Sequence, residues 1–249
     1  YAILKPWIFL QKGGITMEMT VMTYNIQSGR NLAQDRDIRH AISTIRKESP
    51  DILSLNEVQH CTAFCPDGRC QAQAIAEALD YPYFRFGRSI DYEGGEYGNA
   101  LLSRYPILES VVFPVPDVPD EQRDGWFEPR THLFCRLDLG GREMIALTSH
   151  YGLSDGEIQN AVQETLRLAG ERNLPLIFMG DLNAQPDSPL LAPLYGIFTE
   201  SSAGMEGSAL TYPSDNPSEK IDYIFHRSGF ATLRAWVPET TDSDHRPLC

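Results

Sequence analysis

The chain has 249 residues, of which 42% are apolar, enough for one sizeable core and unlike the composition of a disordered protein. Its 34 acidic residues outnumber 21 lysines and arginines, and a net charge of −13 argues against tight nonspecific binding to nucleic acid. This charge does not exclude a phosphate site, because bound cations can invert the local charge.

Residues 1–18 are predicted to be an N-terminal extension, followed by one domain that spans residues 19–249. The apolar run in the extension is interrupted by Lys5 and Pro6 and is too short to span a membrane. It also lacks the small-residue cleavage site of a signal peptide. We interpret the stretch before Met17 as a translated leader or a cloning remnant, with a membrane-surface anchor as the alternative. We expect no stable membrane insertion and a cytoplasmic location, with secretion left open.

The first half of the domain is predicted to alternate strands with helices. Apolar residues from Ile38 to Ile45 recur at helical spacing, which predicts a helix that begins near Asp37 and ends before Pro50. A shorter helix is predicted at 71–79. The predicted strands are 19–25, 51–57, 99–103 and 107–113. A further strand-like run carries aromatic residues that we interpret as core rather than as a base-stacking surface: Tyr81, Tyr83, Phe84 and Phe86.

The second half is predicted to begin with a hairpin, since Gly140 and Gly141 separate strands at 131–139 and 142–150. Ser154 and Asp155 are typical of a helix start, and apolar residues follow at helical spacing to Ala169. Three later strands are predicted at 175–181, 220–225 and 232–237, and two loops near the site at 120–130 and 204–218. Many strands with few helices indicate an α/β (α+β) fold: a two-sheet β-sandwich flanked by helices, in four layers.

The five cysteines are too few for a disulfide scaffold, and their number is odd. Cys135 lies in a predicted strand and is interpreted as core. Cys61, Cys65 and Cys70 cluster in one polar loop beside His60. The spacing permits a structural zinc site, but also unlinked loop thiols or, in an exported protein, one local disulfide.

Several predicted strands end in a polar residue that an apolar core would not select. Rigid strand ends can direct such side chains toward one point. Carboxylate and amide oxygens suit Mg2+ or Mn2+ better than zinc, and histidines can donate protons to anionic oxygens. This set of side chains is suited to phosphoester hydrolysis. At predicted strand ends these residues are Asn25, Glu57, His150, Asp181 and Asn183; Asp222 lies within a predicted strand, and Asp244 and His245 lie in a later turn.

Together these motifs resemble the endonuclease/exonuclease/phosphatase superfamily, which includes pancreatic-type deoxyribonucleases, abasic-site endonucleases, neutral sphingomyelinases, deadenylases and inositol-polyphosphate phosphatases. The resemblance covers nearly everything from Met19 to Cys249. Each motif alone is weakly specific, but seven occur in the order and spacing of that superfamily: TYNIQSG (23–29), LNEV (55–58), YGNALLSRYPI (97–107), TSHY (148–151), GDLN (180–183), KIDYIF (220–225) and SDHRP (243–247).

The resemblance implies a role for each of these residues. The implied metal-site residues are Asn25, Glu57 and Asp244, with Glu57 as the principal ligand. Among the implied catalytic residues, His150 contacts the phosphate, Asp181 and Asn183 orient the attacking water and an oxyanion, and Asp222 orients His245.

Three weaker candidates each have an unremarkable alternative. Arg130 either contacts phosphate or is a surface residue. Asn99 either belongs to the site or fixes a turn. Glu96 either orients His150 or is a solvated loop carboxylate.

Two positions depart from the superfamily pattern. Gln27 stands where some members have an aspartate, and it brings no charge. The chain ends four residues after His245, where members continue into a final strand, which predicts weaker anchoring of Asp244 and His245.

The sequence therefore predicts a hydrolase that depends on Mg2+ or Mn2+ and cleaves a phosphodiester or phosphomonoester. Two narrower alternatives are a nuclease acting on DNA or RNA and a lipid or small-molecule phosphodiesterase. An alternative of another class is a non-catalytic binding protein with the same fold. The expected partner is a small phosphoester substrate, nucleic acid being disfavoured by the net charge, and the expected state is a monomer.

Overall fold

Two β-sheets pack face to face in the computed structural model, which describes residues 7–9, 17–65, 68–120, 123 and 127–249. One sheet has the order β3-β4-β6-β5 and the other β11-β12-β10-β9-β8-β7. The strands of the first sheet are β3 (Val21–Asn25), β4 (Ile52–His60), β5 (Tyr83–Tyr92) and β6 (Gly95–Ser103). Those of the second are β7 (Ile107–Pro114), β8 (Thr131–Asp138), β9 (Glu143–His150), β10 (Leu176–Asp181), β11 (Thr199–Glu200) and β12 (Asp222–Arg227).

Helices cover the outer faces of the sheets. Helices α1 (Arg39–Glu48) and α2 (Gln71–Ala78) share a buried cluster with the four-stranded sheet. Helices α3 (Asp155–Glu171) and α4 (Ala192–Tyr195) share another with the six-stranded sheet. Helix α3 begins as predicted, because Ser154 and Glu157 each bind the other's backbone N–H. The two-sheet fold class with flanking helices is thereby confirmed.

The core between the sheets is apolar and contains residues from both, such as Leu101, Leu133 and Met179, each fully buried. Burying a side chain of this size stabilises the fold by roughly 1.5–3 kcal/mol. Cys135 is fully buried in this core, as predicted. The aromatic run at 81–86 is also packed against core clusters, so its interpretation as core is confirmed.

The remaining cysteines favour one of the three readings left open by the sequence. Cys61 is exposed, Cys65 and Cys70 are buried, and all five cysteines of the chain are free thiols. Over the part of the chain that the structure describes, no cysteine belongs to a group of potential metal ligands. The three are therefore unlinked loop thiols.

A third, small sheet joins the N-terminal extension to the domain. Its central strand β1 (Trp7–Phe9) pairs antiparallel with β2 (Met17–Met19) and with β13 (Phe230–Thr232). Residues 1–6 and 10–16 of the predicted extension lie outside the described residues. No helix among the described residues has both the length and the apolarity needed to cross a bilayer.

The predicted strand at 232–237 is wrong. Strand β13 ends at Thr232, and Leu233 is 48% exposed. Trp236 instead exchanges backbone hydrogen bonds with Cys249, and this single residue pair does not make a strand. Leu248 pairs in the same way with Thr23 of β3. These pairings tie down the segment after His245, so the expected weak anchoring of Asp244 and His245 is also wrong.

Candidate active site

Sheet register brings three predicted site residues side by side. Asp181 at the end of β10 lies opposite His150 at the end of parallel strand β9. On its other side it lies opposite Asp222, the first residue of antiparallel strand β12. Strand β3 carries Asn25 to the same place from the other sheet, where its amide reaches Asp181. Residues far apart in sequence therefore meet at one edge of the sandwich.

The backbone near these residues adopts conformations that most residues avoid. A β-bulge between Leu55 and Val58 leaves Glu57 with φ of +59°, and Asn183 has φ of +49°. Gly180 has φ of +149°, and a Cβ there would lie 1.8 Å from the backbone oxygen of Ser149. Such strained positions cluster at functional sites, where they direct side chains that a regular strand would turn away.

One carboxylate oxygen lies at the centre of the site. Oδ2 of Asp181 accepts a hydrogen bond from Nδ2 of Asn25 at 3.1 Å. Nε2 of His150 lies 3.5 Å from the same oxygen and Nε2 of His245 lies 3.6 Å from it. Burial raises the pKa of Asp181 to about 7, although the nearby His245 opposes this shift.

Asp222 and His245 form a buried pair. Oδ2 of Asp222 lies 2.8 Å from Nδ1 of His245, and Asp222 is fully buried. Burial by itself lowers the pKa of His245, but the carboxylates of Asp222 and Asp181 outweigh it and raise this pKa to about 10. The imidazole is therefore protonated at neutral pH and points Nε2–H toward Asp181.

A second set of contacts links the predicted metal-site residues. Nδ2 of Asn25 donates to Oε1 of Glu57 at 3.0 Å, while Oδ1 of Asn25 accepts from the backbone of Gln27. Asn25 thus presents its amide N–H, not its oxygen, to the carboxylates. Nε2 of Gln27 donates to Oδ2 of Asp244 at 2.8 Å. The uncharged Gln27 therefore orients a carboxylate of the site.

Asn183 lies beside this group without entering the contacts around Asp181 Oδ2. Its backbone N–H donates to Oδ1 of Asp181 at 3.0 Å. Its side-chain amide donates to the backbone oxygen of Tyr151, also at 3.0 Å. Asn183 therefore holds the carboxylate of Asp181 through Oδ1, whereas the histidines lie near Oδ2.

Asn56 is a structural residue of the site that sequence reasoning missed. Its side chain accepts from the backbone N–H of Asp181 and donates to Ser149 and Asn99, which joins the two sheets beneath the site. Asn99 is buried and also donates to the backbone of Thr131, so it braces the sheets rather than fixing a turn. The sequence signal for Asn56 was its place between Leu55 and Glu57, directly before a predicted site residue.

Of the weaker candidates Arg130 and Glu96, the structure places only Arg130 in contact with His150. Arg130 NH1 lies 3.0 Å from Nδ1 of His150. Glu96 instead lies on β6, 3.7 Å from Arg88, where it is partly exposed. The suggestion that Glu96 orients His150 is therefore wrong, because its strand carries it to a different ion pair.

Six of the eight predicted site residues line a cleft of about 470 Å³: Glu57, His150, Asp181, Asn183, Asp244 and His245. The two predicted loops contribute to it: Glu128 and Arg130 come from one, and Tyr212 from the other. Sequence reasoning did not single out Glu128 or the apolar wall, because loop residues carry no periodic pattern. The wall consists of Tyr97, Leu153, Tyr212 and Ile221.

Two carboxylates at the cleft fit a hard divalent cation. Glu57 and Asp244 both line it, are only partly buried, and offer oxygen ligands of the kind that Mg2+ and Mn2+ prefer. Asp181, Asp222 and His245 also lie within 4.8 Å of one another. In that group Nδ1 of His245 is already bound to Asp222, so we regard it as a hydrogen-bonded network.

The chain belongs to the endonuclease/exonuclease/phosphatase family, whose model matches residues 22–245. That family includes phosphatases and nucleases. The uncharacterized protein YbhP of Escherichia coli (strain K12) is 28% identical, over 92% of this chain and 93% of that protein.

Solved structures of low sequence identity share the fold. A family protein from Leptotrichia buccalis superposes with a TM-score of 0.74 at 19% identity, covering 92% of this chain and 97% of that one. A mannosyl-6-phosphatase of Bacteroides thetaiotaomicron superposes with a TM-score of 0.71 at 21% identity, covering 93% and 98%.

Proposed function

We propose that this protein is a phosphoester hydrolase that depends on Mg2+ or Mn2+. The observation that carries the proposal is the convergence of three N–H groups on Oδ2 of Asp181, beside the cleft carboxylates Glu57 and Asp244. Such N–H groups can donate hydrogen bonds to the oxygens of a phosphoryl group, while the carboxylate of Asp181 beside them can align the attacking water.

Glu57 and Asp244 would hold the cation. Bound there, it would offset the negative charge of the phosphate and of the carboxylates themselves. Asn25 and Gln27 would keep both carboxylates oriented through the hydrogen bonds described above. Mutation of such supporting partners typically costs about 10-fold to 100-fold in metal affinity or activity.

The chain's own residues divide the proton chemistry between them. Asp181, with a pKa near 7, is suited to accept a proton from the attacking water. His245, protonated and held by Asp222, would donate a hydrogen bond to the charge that develops on the phosphoryl oxygens. Asn183 would keep Asp181 oriented.

A small phosphoester suits the cleft better than a long nucleic acid. Among the described residues, five carboxylates line the cleft, against Arg130 and two histidines. Tracking a duplex requires several cations that neutralise successive phosphates. A protein of the same fold is named a mannosyl-6-phosphatase.

Hydrolysis rates test this proposal against its alternatives. Bis(p-nitrophenyl) phosphate, p-nitrophenyl phosphate and plasmid DNA would be compared in Mg2+, in Mn2+ and in excess chelator, across a salt series. We expect a small substrate to be hydrolysed only with metal. Plasmid cleavage that exceeds both small substrates and falls steeply with salt would favour the nuclease. Metal binding without hydrolysis of any phosphoester would favour a non-catalytic binding protein, and full activity in chelator would refute metal dependence.

A further inference from the structure

Arg130 and His150 form a largely buried contact that the proposed chemistry does not explain. Arg130 NH1 lies 3.0 Å from Nδ1 of His150 and 2.7 Å from Oε1 of Glu128. The Arg130 side chain is 10% exposed and that of Glu128 is 13% exposed. An arginine beside a histidine is unfavourable if both are charged, so the contact constrains the protonation of the ring.

The contact selects one tautomer of His150. A guanidinium only donates hydrogen bonds, so Nδ1 of His150 must accept and carries no proton. The proton of the neutral ring then lies on Nε2, the atom that faces Asp181 Oδ2 at 3.5 Å. Burial and the charge of Arg130 also hold the pKa of His150 well below its usual range, in agreement with a neutral ring.

Local structure places Arg130 for this contact. The pairing of His132 with Ser149 sets Thr131 opposite His150 in the hairpin of β8 and β9. Arg130 immediately precedes Thr131, so its side chain starts beside the end of β9. Glu128, two residues earlier, binds the same guanidinium nitrogen that reaches His150. The guanidinium is therefore held between a carboxylate and an imidazole.

We propose that Arg130 is a positioning residue that fixes His150 as a neutral Nε2–H donor toward the phosphoryl group, rather than as a general acid. This inference rests on the proposed phosphoesterase function. The two histidines are held differently at Nδ1: that of His245 lies 2.8 Å from a carboxylate oxygen of Asp222, whereas that of His150 accepts from the Arg130 guanidinium. Glu128 supports the arrangement by keeping the guanidinium in place.

Nitrogen NMR of histidine-labelled protein tests the tautomer without any assay of activity. The His150 signals would be assigned by their loss in His150→Gln. We expect the wild-type ring to be neutral and protonated on Nε2 near neutral pH. In Arg130→Met, which removes the donors but keeps a long side chain, we expect a mixture of tautomers. Arg136→Met, on strand β8 that follows Arg130, removes an arginine paired with Glu109 and Glu143, and should leave the His150 signals unchanged. A wild-type ring protonated on Nδ1 would overturn the inference.

Kinetics on the best small phosphoester provide the second readout. We expect Arg130→Met to lower kcat by about tenfold to a hundredfold with little change in KM, and Arg130→Lys to recover part of the loss. A rise in KM with kcat and tautomer unchanged would overturn the inference, because Arg130 would then bind substrate directly. If the wild-type protein hydrolysed no phosphoester, the proposed function would fail, and the NMR comparison would still decide whether Arg130 sets the tautomer.

Discussion

The Asp222–His245 pair yields a prediction that separates a working unit from two independent residues. Asp222→Asn keeps an acceptor near Nδ1 of His245 but removes its charge. His245→Ala removes the Nε2–H donor altogether. If Asp222 acts only through His245, then once the imidazole is gone the second substitution should cost almost nothing more.

The expected sizes follow from the geometry. The bond is 2.8 Å long and Asp222 is fully buried, so losing its charge should cost about 1.5–3 kcal/mol of transition-state stabilisation. This corresponds to roughly a 10-fold to 150-fold loss in kcat. Removing a donor to developing charge costs more, about 10² to 10³-fold, so His245→Ala should be the worse single variant. The double variant should lie within about threefold of it.

Folding must be monitored, because Oδ1 of Asp222 is buried with no hydrogen-bond partner among the described residues. The new amide nitrogen of Asp222→Asn would then be left unpaired or would disturb the pair, lowering the free energy of unfolding by about 1–3 kcal/mol. Urea unfolding would measure that loss, and kcat would be compared where all variants are folded. Asp242→Asn is the matched control, because this carboxylate lies three residues before His245 but accepts a hydrogen bond from Thr44. Losses in log kcat that add fully in the double variant would refute the idea of a unit.

Three further predictions concern the metal, the backbone and pH. Glu57→Gln should raise the Mg2+ concentration needed for half-maximal activity by about tenfold or more, while the melting temperature stays nearly unchanged. An unchanged Mg2+ requirement would argue against Glu57 as a ligand. Gly180→Ala should lower the free energy of unfolding, measured in urea, by about 3 kcal/mol or more, because the new Cβ would overlap the backbone oxygen of Ser149. The control is Gly170→Ala, in open space on α3, which should raise that free energy by about 0.5–1 kcal/mol. Equal effects of the two substitutions would contradict the steric argument. Burial lowers the pKa of His132 from 6.5 to about 4, so the unfolded chain binds more protons between these values and stability should fall by about 3 kcal/mol as pH drops through that window. In His132→Gln, the free energy of unfolding should no longer fall in this way with pH. A pH profile of stability identical to that of the wild-type protein would refute the prediction.

Much of the architecture was predictable because its causes are local. Apolar periodicity predicted α1 to α3, and Ser154 marked the start of α3 through a cap formed with a residue three positions away. Strand prediction failed at 232–237, where branched and aromatic residues favour a strand. Among the described residues, Thr232 pairs with Trp7 at the end of β13, and beyond it Trp236 pairs through its backbone only with Cys249. Local preference predicts a strand, but a ladder requires a neighbour, and the neighbour depends on the fold.

By itself, the sequence determined that Asn25, His150 and Asp181 stand at strand ends, since each follows an apolar run in its own segment. It did not determine what those side chains contact. Asn25 and Asp181 are 156 positions apart, and only the packing of two sheets shows that the asparagine presents its N–H to the carboxylate. The partner of His150 was decided in the same way: strand register places it beside Arg130, whereas Glu96 is carried to Arg88. Hydrogen-bond direction and the charge of a buried group depend on atoms brought together by long-range packing, so they become fixed only in the tertiary structure.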